Sequence, residues 1–325
     1  MMRRLLIVLL LAGCALPAPA AFAQARGGQT ERVARSVNIG ANGELEISNI
    51  SGDIQVTRAS GTSVAIEAIK TAHGGSVEDE RSLLSLVQVE IVERGSRVEV
   101  RTRYPEGDES RRNNRRNINV SVAITVAAPE GTRITVKSIS GNISVRDITG
   151  ALTLETVSGA VRMSNAGRTA TGRSISGDIE LSETRVEGAL EVGTVSGTVR
   201  LRKVTARSIA ANSVSGSVLL EDVDAERVNA QVISGNITFS GDLDPNGRYE
   251  LTSHSGNVRV AVPAAAGFQI EADSFSGSIN TDIPITMSGG QTGGRRNRAL
   301  RGTVGNGGAL LDLTTFSGSI LITKR

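Results

Sequence analysis

Tryptophan is absent from this chain, and only two tyrosines and five phenylalanines occur among its 325 residues. A globular core of that size ordinarily draws much of its buried area from aromatic rings. The shortage argues against such a core and suits a narrow interior of Val, Ile, Leu and Ala. Cysteine is almost missing too, Cys14 being the only one. An intramolecular disulfide is therefore excluded, and stability must come from burial and hydrogen bonding. The two histidines, His73 and His254, are far apart in sequence. A metal site wants several His, Cys or carboxylate ligands converging, and no cofactor or metal site is expected. Long apolar runs are lacking except at the start.

That start is Met1-Met2-Arg3-Arg4 followed by an apolar run from Leu5 to Leu11. A positive tip before a run too short to span a bilayer reads as an export signal. Residues 1–25 are assigned to it, and two ways of processing it stay open. Ala21-Phe22-Ala23 carries the small residues of ordinary cleavage, whereas Leu11-Ala12-Gly13-Cys14 resembles a bacterial lipobox that would make Cys14 the lipidated residue. The product is expected in the periplasm, outer membrane or cell surface of a bacterium, with membrane association only through such a lipid anchor. Losing Arg3 and Arg4 from 36 basic residues leaves 34 against 33 acidic ones. So balanced a chain carries no nucleic-acid footprint.

What the sequence has in abundance is the dipeptide Ser-Gly. It stands at Ser140-Gly141, Ser158-Gly159, Ser176-Gly177, Ser196-Gly197, Ser215-Gly216, Ser234-Gly235, Ser255-Gly256, Ser276-Gly277 and Ser317-Gly318. Successive steps are 18, 18, 20, 19, 19, 21, 21 and 41 residues, the last being two periods. Val, Ile, Phe or once His precedes each pair. After it come a variable residue and then Ile or Val. A fixed period near 20 residues is the mark of a solenoid, whose repeats bury apolar surface only against their neighbours.

One copy shows how a coil is built. In SVSGSVLLEDVDAERVNAQV, from Ser213 to Val232, Val214, Val218 and Leu220 alternate with Ser215, Ser217 and Leu219. That is the pattern of a strand with one buried face. Asp222 breaks the phase, and a second alternation runs through Val223, Ala225, Val228, Ala230 and Val232. Each coil should hold about two short strands joined by tight turns. Gly216 gives backbone freedom at the corner and leaves space where coils stack, and Ser215 can bond its own turn or stack with equivalent serines. The expected fold is all-β: a single-stranded parallel β-helix with about 20 residues per coil and irregular caps.

Upstream, Ile50-Ser51-Gly52-Asp53-Ile54 is an earlier copy of the motif. The period then lapses until Ser140. Ser76 to Leu86 reads as a short capped helix, and Val87 to Arg103 as two strands around Arg94-Gly95-Ser96. The organisation expected is an irregular β part over residues 35–135 and the regular solenoid over 136–325. The solenoid carries a loop at 285–308, a hairpin around Gly305-Asn306-Gly307-Gly308, and Leu310 to Lys324 as the last coil.

The stretches SISGNISV, TVSGAVRM, SISGDIEL, TVSGTVRL and VISGNITF resemble the bacterial putative-adhesin family of exported β-strand-repeat proteins. The likeness spans roughly Val37 to Arg325, through about ten copies in register. It implies a pectin-lyase-like, right-handed β-helix and a role at the envelope or surface. It transfers no catalytic residues.

Nothing in the repeat carries chemistry. Asp147, Glu155, Asp178, Glu180, Glu191, Glu221 and Asp222 are scattered among Arg146, Arg162, Arg200 and Arg202. That reads as a solvated face of mixed charge, whereas a polysaccharide-active enzyme needs clustered carboxylates. The repeated serines have no paired base. His254 reads as a tolerated substitution in the repeat. Two arginine clusters are the candidate contacts to an anionic surface: Arg111, Arg112, Arg115 and Arg116, and Arg295, Arg296, Arg298 and Arg301. The leading expectation is a non-enzymatic envelope scaffold for adhesion or macromolecular binding, its partner a protein, glycan or anionic lipid. A periplasmic component that binds a partner in an envelope-stress system is the alternative, and a β-helix enzyme a distant third.

Overall fold

The computed structural model describes residues 28–105, 118–287 and 298–325. The chain runs through β1 (Gln29–Asn38), β2 (Glu44–Ser51), β3 (Ile54–Ala59), β4 (Ser63–Ala72), α1 (Val77–Leu86), β5 (Gln88–Arg94), β6 (Arg97–Arg103) and β7 (Val120–Pro129). The regular coils follow as β8 (Arg133–Ser140), β9 (Ile143–Arg146), β10 (Leu152–Ser158), β11 (Val161–Ser164), β12 (Ala170–Ser176), β13 (Ile179–Ser196), β14 (Val199–Ser215), β15 (Val218–Ser234) and β16 (Ile237–Ser255). Then come β17 (Val258–Val262), β18 (Phe268–Ser276), β19 (Ile279–Thr281), β20 (Thr286–Met287), β21 (Ala299–Val304), β22 (Ala309–Ser317) and β23 (Ile320–Lys324). It is a parallel β-solenoid.

Each coil turns at a Ser-Gly corner between two parallel ladders. The first wall holds the residues leading up to the corner, so that Ser196 pairs with Ser215 and Ser215 with Ser234. The second wall holds those that follow, with Val199 against Ile179 and Val218. In the middle coils a third, short ladder aligns Thr184–Val186, Val204–Ala206 and Val223–Ala225. It is set off by residues in the left-handed region: Glu183, Lys203 and Asp222 have φ of 50°, 54° and 53°. The phase break at Asp222 is thus a real corner.

The corner glycines are fixed by two constraints at once. Gly216 has φ +149°, and a Cβ there would lie 1.9 Å from the carbonyl oxygen of Gly197 in the next coil. Alternation then fills the interior with Val199, Leu201, Val204, Ile209, Ala211 and their counterparts, all buried. Three aromatic side chains, Phe239, Tyr249 and Phe268, are among the largest fully buried ones. Burial pushes the Tyr249 hydroxyl up to about 12. It donates to the Ala225 carbonyl at 2.7 Å and accepts from the Asp244 amide at 2.8 Å.

One expectation about the coil fails. Val214 does not join Val218 and Leu220 inside. It is 43% exposed, while Ser213 points inward. The corner resets the alternation, and the buried hydroxyl caps a carbonyl of the adjacent coil, with Ser213 Oγ donating to Gly197 at 3.1 Å. Thr194 does the same to Gly177, Ser253 to Gly235 and Thr315 to Gly256, at 2.9–3.0 Å. The hydroxyls of the corner serines, Ser215 among them, face solvent and make no such bonds among the described residues.

The order of coils also differs from chain order. β22 lies between β16 and β18, with Ser317 paired to both Ser255 and Ser276. The segment from Leu310 to Lys324 is therefore the penultimate coil. The expected hairpin around Gly305–Gly308 is absent: β21 pairs antiparallel with β18, on the side away from β22. The segment expected as a loop at 285–308 accordingly contains β20 and β21, paired antiparallel with each other. This arrangement gives β18 a partner on each side and leaves no parallel edge there to recruit another chain.

The other end is closed similarly. β6 and β7 extend the parallel ladders beneath β2 and β3, and β5 and β4 pair antiparallel with them. The helix at Ser76–Leu86 forms, with Ser76 Oγ accepting from the Asp79 amide at 3.2 Å. Its last turn carries no basic residue. Lys70 of β4, 5% exposed, supplies the charge, donating to the carbonyls of Leu84 and Val87 at 3.1 Å, where a cation is favoured.

Candidate binding groove

On the first wall, outward positions form columns along the rod because the coils stack in register. The residues just before the corner serines make one column. From one end it reads Ile139, Val157, Ile175, Val195, Val214, Ile233, His254, Phe316 and Phe275. The aliphatic members are 43–55% exposed, Phe316 47% and Phe275 65%. Single exposed apolar residues are ordinary, but a contiguous row of them is a mark of an interaction site.

The last three members are rings in a stack. His254 and Phe316 lie 4.9 Å apart and Phe316 and Phe275 4.6 Å, within 7° of parallel. So two of the chain's few phenylalanines are spent on the surface, in adjacent coils. His254 is thus a member of this stack, which fits its reading as a repeat substitution.

Three residues before the corners runs a second column. It reads Lys137, Glu155, Arg173, Gly193, Asn212, Gln231, Thr252, Thr314 and Asp273. It is charged at one end, neutral through the middle and acidic at the other end. Its charges are partly matched, Arg173 lying 2.5 Å from Glu191 and Lys137 4.0 Å from Glu155. Such exposed pairs contribute about 0–1 kcal/mol each. Between the columns lies a groove of about 760 Å³ from Lys137 to Ile233. A second hollow of about 410 Å³ continues the same two columns at the aromatic end. The buried Ser and Thr hydroxyls form the floor, so the groove follows from the corner that turned Val214 out and Ser213 in.

At the far end Arg298 lines the second hollow with Asp273, Phe275, Thr314 and Phe316. Its Nε is buried and has no hydrogen-bond partner among the described residues. Arg301 is engaged instead by Glu271 and lies 3.8 Å from Asp273. Of the second arginine cluster, then, Arg301 is paired and Arg298 faces the groove. Arg111, Arg112, Arg115, Arg116, Arg295, Arg296 and Cys14 lie outside the described residues. Nearby, Asp312 pairs in register with Glu250 and Glu271. Its carboxyl is held above the usual aspartate range, first by burial and then by Glu250 and Glu271, with Arg248 opposing. Among the described residues no group of His, Cys, Asp and Glu could hold a metal ion.

A family model of the Toastrack type, DUF4097, matches residues 35–202 and, in a second overlapping match, 75–323. The chain belongs to the Toastrack DUF4097 family. Solved structures similar to this Toastrack chain include a putative adhesin from Parabacteroides distasonis, 11% identical, with 92% of this chain and 98% of that one covered at a TM-score of 0.42. A putative adhesin from Bacteroides fragilis is 13% identical, with 91% and 97% covered and a TM-score of 0.39. A further Parabacteroides distasonis protein, described as a putative lipid binding protein, is 14% identical over 90% and 96% at a TM-score of 0.32. No curated protein matches the chain. The function of this Toastrack chain has to be argued from its own residues.

The sequence already showed Val, Ile, Phe or His before each corner. Its outward direction was hidden, because the position looks like one more apolar member of a strand. The corner's change of phase decides it, and that change depends on the glycine φ.

Proposed function

We propose that this protein is a non-enzymatic scaffold of the bacterial envelope that binds an extended macromolecule along the first-wall groove. The observation that supports this most is the unbroken exposed column from Ile139 to Phe275, nine coils of apolar or ring side chains that the rod leaves uncovered. Eight steps of about 4.8 Å make it roughly 38 Å long, so a linear ligand could contact many coils at once. Weak contacts summed along a line give avidity without a deep pocket. The surface position is a proposal too, drawn from the positive tip and apolar run at Met1–Leu11.

The carboxylates of the second wall support the non-enzymatic reading, and the one in-register row, Glu250, Asp312 and Glu271 on the first wall, is tied up at its end by Arg301. On the second wall Arg162 and Glu180 lie 3.8 Å apart as a solvated pair, not as an acid and base across a cleft. The test is co-sedimentation of the protein with washed bacterial envelopes. Val195→Glu with Val214→Glu should abolish binding while circular dichroism stays β-rich, since both side chains already face water. Undiminished binding by the folded double variant would overturn the groove as the binding surface.

A further inference from the structure

We propose that the far end of the groove is a saccharide subsite that seats an uncharged hexose unit of a glycan chain lying along the rod. This deepens the groove reading above and rests on it. The hollow of about 410 Å³ joins an apolar wall, Phe316 and Phe275, to a polar one, Thr314 and Asp273, with Arg298 closing the end. A pyranose has this same division, with C–H bonds on its faces and hydroxyls around its rim. Phe316 is stacked between His254 and Phe275, so the pyranose face packs on the outer ring, Phe275, while rim hydroxyls accept from the Arg298 guanidinium and donate to Asp273.

Other ligand classes fit less well. An acyl chain would lie against the polar wall of Thr314, Asp273 and Arg298 and desolvate it without offering partners, which is costly. An anionic ligand would meet Asp273, Glu271, Asp312 and Glu250, which stand on neighbouring coils of the same wall. A cation would meet Arg298 and Arg301. A peptide adding as a strand needs free backbone groups at a sheet edge, but the first wall is hydrogen-bonded on both sides of each coil here, with β21 covering β18. A neutral polyhydroxylated chain is the class that satisfies the donor, the acceptors and the rings together. The neutral stretch Asn212, Gln231, Thr252 and Thr314 continues that complementarity along the groove. The coil step, about 4.8 Å, is comparable to the length of one extended pyranose unit.

The experiment is isothermal titration calorimetry of the full chain with cellohexaose, laminarihexaose, mannohexaose and chitohexaose. An extended neutral peptide and a polyanionic saccharide, heparin hexasaccharide, serve as the other arms. Binding of at least one neutral hexasaccharide is expected, weakened roughly tenfold or more by Phe275→Ala and several-fold by Arg298→Gln. Phe275 is exposed and Arg298 half-buried, and unchanged melting of the variants confirms their folding. Failure of all four neutral sugars, stronger binding of peptide or heparin, or indifference to Phe275→Ala would each overturn the proposal. If Val195→Glu with Val214→Glu abolishes envelope binding while no neutral sugar binds, the groove stands and the saccharide falls. If envelope binding survives that double variant, the groove falls as well.

Discussion

Thr194 Oγ1 donates to the carbonyl oxygen of Gly177 in the neighbouring coil at 2.9 Å. From the corner at Ser158 onward, a Ser or Thr two places before the corner thereby satisfies a backbone acceptor that the parallel ladders do not use, whereas the buried Ser138 Oγ has no partner among the described residues. Ser174, Ser213, Ser253, Ser274 and Thr315 repeat the bond at 2.9–3.1 Å. Val232 interrupts the series. It occupies the equivalent place, is 3% exposed, and has no hydroxyl to offer Gly216.

Thr194→Val should therefore destabilise the fold by about 1 kcal/mol, and Val232→Thr should stabilise it by roughly 0.5–1 kcal/mol. Urea unfolding at constant m-value measures both. Equal and opposite signs at these two nearly isosteric positions would show that the hydroxyl, not side-chain volume, is responsible. A neutral Thr194→Val would contradict it.

Gly216→Ala should cost more than a surface substitution, about 2–5 kcal/mol. The new Cβ would combine left-handed strain with a collision 1.9 Å from the Gly197 carbonyl. Gly216 is half-buried at the corner, so a loss within about 0.5 kcal/mol would mean that coils can spread apart locally, and the close-stacked corner would be wrong.

At the opposite corner, Lys203 sits at φ +54° without being glycine. Lys203→Gly should raise stability by about 0.5–1 kcal/mol, the relief of left-handed strain outweighing the added freedom of the unfolded chain. Lys203→Val should lower it. Thermal melting of the pair decides the sign. The Lys203–Glu183 contact, 4.0 Å between exposed groups, contributes little to either result.

Asp312 provides a pH test. Its carboxyl is raised in the folded protein by burial and by Glu250 and Glu271, so the folded state holds this proton more tightly than the unfolded state. The penalty is absent below the unfolded value of about 3.9, grows as pH rises through it, and is complete above the folded value. Asp312→Asn should be more stable than the parent at pH 7, with the difference shrinking towards pH 4. A difference that does not change with pH would remove ionisation as its cause.

The solenoid was legible because its instructions are local and repeated. Each Ser-Gly marks a corner, and the capped helix at Ser76 carries its own signal. The order of coils was not legible. Ser276-Gly277 and Ser317-Gly318 carry the same short motif, and nothing within either copy says that Ser317 stacks on Ser255. That placement is decided by pairing at the end of the rod, where β21 covers β18. The groove was half visible. The apolar residue before each corner could be read directly, but Val214 and Ser213 exchange their expected sides only once the glycine fixes the turn. The hydroxyl ladder was missed for the same reason.

The most direct measurement places a single environment-sensitive fluorophore on either wall of one coil, at Val214→Cys in the groove or Arg200→Cys on the second wall. Cys14 is the only native cysteine, so the label is unique once the N-terminal segment is removed or Cys14→Ser is introduced. Both positions are exposed and belong to β14. On addition of washed envelopes, the groove account predicts a blue shift and protection from a soluble quencher at 214 and no change at 200. Protection at 200 with none at 214 would contradict it.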